Sequence, residues 1–191
     1  MAWAWSKTRL MKTSDQEILT LIQNPLSREM GFRQLIQTYQ KKVYHVIRRM
    51  VLIHEDADDI TQNTFIKAYH HIDRFQGHSS LFTWLYRIAT NEALGFIEKK
   101  KKRFFFSLDD YQEKLESYVD QAGSLDGDQI QIKLQKALLT LPNKQRLVFH
   151  LKYQEDLTYD QMSEITGTSV GALKASYHHA VKKIELSLTS E

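Results

Sequence analysis

The chain has no cysteine. A disulfide framework, a thiolate nucleophile and a cysteine-ligated zinc are therefore excluded, and a reducing cytoplasm is the expected setting. Proline occurs twice and glycine seven times in 191 residues, too few to punctuate a fold of strands and turns. Long stretches of helical periodicity predict an all-α protein instead. No apolar run approaches the roughly 20 residues that cross a bilayer, and Met1-Ala2-Trp3-Ala4-Trp5-Ser6-Lys7 lacks the apolar core of an export signal. Membrane insertion is not expected. Glycine-rich phosphate loops and partnered nucleophiles are also missing. The pairs His70-His71 and His178-His179 point to different sides of a helix and cannot chelate one ion. No catalytic residue, no metal site and no cofactor are expected.

What is present is an uneven charge. Residues 1 to 103 hold 17 Lys/Arg against 10 Asp/Glu, residues 104 to 128 hold one lysine against seven acids, and residues 129 to 191 hold eight basic against six acidic side chains. Two modules that face polyanions, joined by a segment that avoids them, give such a pattern. The apolar spacing agrees. Ser14 with Glu17 opens a first helix that Pro25 ends, and a second starts near Ser27 with Phe32, Leu35, Ile36, Tyr39, Val43, Ile47 and Met50 on one face. A third runs from about Asp56 to Asp73, burying Ile60, Phe65, Tyr69 and Ile72 and leaving Asp58, Asp59, Gln62, Asn63 and Lys67 outside. After the turn Phe75-Gln76-Gly77-His78-Ser79, Ser80 caps a fourth helix that runs into Lys99-Lys100-Lys101-Lys102-Arg103. Periodicity lapses over 104–128 and resumes at about Gln129, with Pro142 at a first helical position. The expected organisation is an N-terminal extension (1–13), a helical module (14–103), an acidic linker (104–128) and a second helical module (129–191).

The most specific local signal lies near the C-terminus. Thr158 with Gln161 forms a capping box, Gly167 supplies a left-handed stop, and Ser169 can cap the next helix. From there Val170, Leu173, Tyr177, Val181, Ile184 and Leu188 form an inward stripe. The opposite face carries Ala172, Ala175, Ser176, His179, Lys182 and Lys183. Small residues at its start let the backbone approach base edges, and lysines further along reach phosphates. This reads as a helix-turn-helix, with an ordinary αα-hairpin as the alternative.

The motifs resemble those of bacterial sigma factors of the sigma-70 superfamily, in particular the two-domain extracytoplasmic-function (ECF) group. Asp56-Ala57-Asp58-Asp59-Ile60-Thr61-Gln62-Asn63-Thr64-Phe65-Ile66-Lys67-Ala68-Tyr69 looks like the helix of region two that docks on the β′ clamp coiled coil of RNA polymerase. The stretch from Phe75 to Asn91 resembles the part that melts and reads the minus-ten element, and Leu141-Pro142-Asn143-Lys144-Gln145-Arg146 with the helix-turn-helix resembles region four. The resemblance covers about residues 14 to 187 and implies a two-domain helical initiation factor that opens two-part promoters and catalyses nothing itself. Core polymerase, through its β′ clamp coiled coil and β flap, and promoter DNA are the implied partners, with an anti-sigma factor as a further candidate. It assigns polymerase binding to Asp56, Asp59, Gln62 and Asn63. Minus-ten binding falls to Phe75, Tyr86, Arg87, Asn91, Lys99, Lys100, Lys101, Lys102 and Arg103, with a buried packing role as the competing reading for Phe75 and Tyr86. Minus-thirty-five binding falls to Ser169, Ala172, Lys174, Ala175, Ser176, His179, Lys182 and Lys183. The chain departs from the family where an acid is frequent (Asn63) and where arginines are frequent (Ser176, His179, Val181). A stand-alone helix-turn-helix regulator is the competing class, but no dimerisation helix is evident.

Overall fold

The computed structural model describes residues 15–51, 53–103 and 129–189, apart from the side chains of Lys101, Arg103 and residues 129–132. The expected extension and acidic linker lie outside the described residues. The regular elements are α1 (Asp15–Gln23), α2 (Arg28–Val51), α3 (His54–His71) with a 3-10 turn (Ile72–Arg74), α4 (Leu81–Arg103), α5 (Gln129–Leu139), α6 (Asn143–Phe149) running into a π turn (His150–Gln154), α7 (Tyr159–Thr166) and α8 (Val170–Thr189). No strand occurs among the described residues, in line with the all-α expectation, and no helix among them is long and apolar enough to cross a membrane.

Packing divides the chain into a small unit, residues 1–41, and a larger one, residues 42–191. In the small unit Pro25 follows the end of α1. Asn24 closes the turn by accepting the Leu26 N–H at 3.0 Å, and the Ser27 hydroxyl donates to the Leu21 carbonyl at 2.9 Å. A Cβ at Gly31 would lie 2.8 Å from the Ile22 nitrogen, so α2 crosses the end of α1 where only a hydrogen fits. Ile18 and Ile22, one turn apart, are buried. The Tyr39 hydroxyl donates to the Asp15 carboxylate, and burial together with that carboxylate holds the phenol well above its ordinary value.

In the large unit α3 packs on α4. Ala57, Ile60, Thr64 and Ala68 on α3 and Leu85, Ala89, Ala93 and Ile97 on α4 are buried, and the alanines allow close approach. Burial of each Ile or Leu contributes about 1.5–3 kcal/mol. The Thr64 hydroxyl is satisfied by the Ile60 carbonyl at 2.8 Å. Ala137, Leu138, Leu141, Phe149, Ala180 and Ile184 form the core of α5, α6 and α8, and α7 packs against both α8 and α4.

Three positions depart from the expected pattern. Tyr69 is 38 % exposed: the buried stripe of α3 passes through Ala68, and the next residue is rotated about 100° off it. Leu188 is 39 % exposed because the buried stripe of α8 ends at Ile184 and residues 185–189 all face outward. Pro142 precedes α6 rather than opening it.

Candidate polymerase and DNA interfaces

The polar face of α3 presents Asp58, Asp59, Gln62 and Asn63, all exposed. Asp58 lies 3.4 Å from His54. Asp56 sits apart from this block: its carboxylate accepts from Lys100 at 2.6 Å, and the two side chains are only 18 % and 21 % exposed. The pair ties α3 to α4, so a residue assigned to polymerase and one assigned to DNA are spent on each other. Further along the face, seven residues beyond Asp59 and Gln62, Ile66 and Tyr69 are exposed at 47 % and 38 %. Both extend the polar block with apolar surface suited to a buried interface centre. Both lie in the stretch that resembles the docking helix, but Tyr69 is expected in the buried stripe and Ile66 is given no contact of its own, although it is out of phase with that stripe, a detectable signal.

At the minus-ten candidates, Gly77 takes φ +73°, a conformation that strains other residues, with open space beyond it. Phe75 is half-buried, its ring centroid 5.5 Å from that of Trp84. Ser80 caps α4 by accepting the Thr83 N–H at 3.1 Å. Arg87 and Asn91, four residues apart, are exposed, as are Lys99 and Lys102. Lys100 lies 5.3 Å from the Phe96 ring centre while it pairs with Asp56. Tyr86 departs from its assignment. It is fully buried, its ring 4.1 Å from that of Phe82, and its hydroxyl lies 3.2 Å from the Lys42 carbonyl and 3.1 Å from Glu155 Oε2. Burial first, then the Glu155 charge, pushes the phenol far up, so it remains a proton donor. In this conformation it offers nothing to a base.

What covers it is the segment between α6 and α7. The π turn carries the chain past His150, and Asp156 adopts φ +49°, the single positive φ of a non-glycine among the described residues. This bend sets Glu155 against Arg49 and Tyr86. Nearby, the Arg146 guanidinium, 4 % exposed, donates to the Met50 carbonyl at 3.1 Å and to Asn143 at 3.3 Å. One turn along α4 from Tyr86, a cleft of about 80 Å³ lies between Thr90, Asn91 and Leu94 and Lys144, Leu147, Val148, Thr166 and Thr168.

The helix-turn-helix forms as its local signals predict. The Thr158 N–H donates to the Gln161 side-chain amide oxygen (Oε1) at 2.9 Å while the Gln161 backbone N–H donates to the Thr158 hydroxyl at 3.2 Å, and Gly167 takes φ +66° with its N–H on the Ser163 backbone carbonyl at 2.8 Å. Ser169 reaches the Ala172 N–H only at 3.4 Å. On α8, Ala172, Lys174, Ala175, His179, Lys182 and Lys183 are exposed and Ser176 is half-buried. Lys152 and Lys174 each place Nζ 5.7 Å from the Tyr159 ring centre, gathering two cations beside the start of α7.

Comparison with known proteins finds two family models on the chain. The family model for sigma-70 region 2 matches residues 35–103 and that for sigma-70 region 4 matches residues 131–184. The ECF RNA polymerase sigma factor SigW of Bacillus subtilis is 31 % identical over 166 residues, covering 83 % of this chain and 89 % of that protein. Two solved structures share the fold. The sigma factor RpoE of Bartonella quintana, in complex with the anti-sigma factor NepR, aligns with TM-score 0.63 at 21 % identity, over 82 % of this chain and 96 % of that one. CnrH, in complex with the cytosolic domain of CnrY, aligns with TM-score 0.65 at 20 % identity, over 93 % and 99 %.

Proposed function

Since the chain belongs to the ECF group of sigma-70 RNA polymerase sigma factors, we propose that its two modules divide the work of initiation as follows. The protein is a transcription initiation factor that binds core RNA polymerase and promoter DNA and is not itself an enzyme. Residues 14–103 form the module that holds polymerase and opens the minus-ten element, and residues 129–191 form the module that reads the minus-thirty-five element. Asp59, Gln62 and Asn63 dock on the β′ clamp coiled coil, with Ile66 and Tyr69 continuing the contact, and the second module meets the β flap. Phe75 and Asn91 receive unstacked bases, whose extrusion costs a few kcal/mol and needs such contacts in return. Arg87, Lys99 and Lys102 hold phosphates, contributing affinity and salt dependence rather than sequence readout. On α8, Ala172 and Ala175 let the helix enter the major groove while Lys174, Lys182 and Lys183 anchor it.

The observation that carries this reading is the coexistence, in one chain and in order, of the exposed Asp59/Gln62 face and a helix-turn-helix whose first helix is capped at both ends. The protein acts in the cytoplasm. An anti-sigma factor restrains it, a reading supported by the complex of the structural neighbour RpoE with the anti-sigma factor NepR. Co-elution with core polymerase on gel filtration, competed by another sigma factor, tests the docking step. Separate elution would count against it.

A further inference from the structure

Glu155 and its two partners form a built anion site. One carboxylate oxygen takes the Arg49 guanidinium and the other lies 3.1 Å from the Tyr86 hydroxyl. The Arg49 and Glu155 side chains are 33 % and 17 % exposed, so the pair is partly withdrawn from water, and Tyr86 is wholly buried. An arginine fork beside a hydroxyl donor suits a phosphate as well as a carboxylate. The site lies on α2 and α4, in the stretch matched by sigma-70 region 2, whereas Glu155 comes from the stretch matched by region 4. One turn along α4 from Tyr86, Thr90 and Asn91 line a cleft together with Lys144, Thr166 and Thr168.

We infer that Arg49 and Tyr86 form a phosphate site for the separated promoter strand, and that Glu155 fills it as an internal substitute until the second module moves away. The inference rests on the sigma reading above and adds a residue, Arg49, and a restraint to it. A single structural relationship serves both purposes. While Glu155 is seated, Tyr86 is covered and Arg49 is occupied, so the strand path beside the exposed Asn91 is incomplete and free protein binds single-stranded DNA poorly. When polymerase draws the two modules apart, the vacated guanidinium and hydroxyl face the backbone of the strand that Asn91 reads. The acidic residue is thus a competitor of DNA at its own site, which differs from a general electrostatic repulsion by the acids of 104–128.

The test uses the full chain and a fluorescently labelled single-stranded, AT-rich DNA oligonucleotide, read by anisotropy without polymerase. Glu155→Gln keeps the volume and removes the charge. It should tighten binding by about tenfold, the factor that corresponds to about 1.4 kcal/mol. In the same background Arg49→Gln should abolish that gain, and Arg49→Lys, which keeps the charge but loses the fork, should retain part of it. Circular dichroism on each variant separates loss of the site from loss of the fold, with Arg49→Lys as the gentler replacement. Unchanged affinity in Glu155→Gln, or a gain that survives Arg49→Gln, would overturn the inference. Polymerase-dependent promoter binding by the wild type, measured alongside, reports on the sigma reading separately: its absence would sink that reading, whereas a flat Glu155→Gln result would sink only this one.

Discussion

Lys100 donates to Asp56 at 2.6 Å across 44 residues of sequence, joining the start of α3 to the last turns of α4. Both side chains are largely withdrawn from solvent, so removal of the cation strands a carboxylate that water reaches poorly. Lys100→Met should lower stability by about 1–2 kcal/mol, more than an exposed pair provides. The urea midpoint should fall with no change in slope. An unaltered midpoint would make the pair incidental.

Asp59 and Gln62 are free of this brace. Alanine at both should weaken core-polymerase binding by about 1–3 kcal/mol, since charge-assisted contacts at an interface are removed. Helicity should be untouched because both side chains are exposed. Competition against a labelled sigma factor measures the effect, and equal affinity would take this face out of the interface. Adding Ile66→Ala should deepen the defect if the apolar extension of the face is also buried.

Strand opening has its own signature. Phe75→Ala or Asn91→Ala should reduce open-complex formation on a duplex promoter far more than on a template already mismatched across the minus-ten region, because only the duplex demands that bases be taken from the stack. Permanganate footprinting of both templates distinguishes this from a polymerase-binding defect, which would affect them equally.

His150 makes the folded state sensitive to acid. Burial above all pushes it down to about 4, the charges of Arg146 and Arg49 act the same way, and the hydrogen bond with Gln154 opposes them. An unfolded histidine protonates near 6.5, so between about 4 and 6.5 the unfolded chain binds more protons than the folded one. The stability gained by keeping the ring neutral is full above about pH 6.5 and is lost as pH falls towards 4. Lowering the pH from about 7 to about 5 should therefore cost about 2 kcal/mol from this group. His150→Gln should flatten the dependence in denaturant titrations across that window, and an equally steep profile in the variant would assign it elsewhere.

Local chemistry was legible in the sequence wherever one short segment decided the outcome. The capping box of Thr158 and Gln161, the left-handed Gly167 and the Ser80 cap each depend on neighbours within four residues, and each forms. The exposure of Asp59, Gln62 and Asn63 followed from periodicity alone. What periodicity could not supply was the partner arriving from far along the chain. Tyr86 on α4 reads as either a base-capturing or a packed aromatic until Glu155, 69 residues later, is brought over it by the bend at Asp156. Asp56 reads as part of an acidic docking block until Lys100 claims it. Ala180, wholly buried on α8, was invisible to an apolar stripe drawn through larger residues.

The account as a whole stands on promoter-directed initiation. Core polymerase should be mixed with the chain and genomic DNA of the source organism, and the 5′ ends of the transcripts mapped. Starts that appear only when the chain is added, and that share two upstream elements spaced alike, are the predicted result. Starts that are the same with and without the chain, while it still binds DNA as a duplex-reading oligomer, would contradict the account.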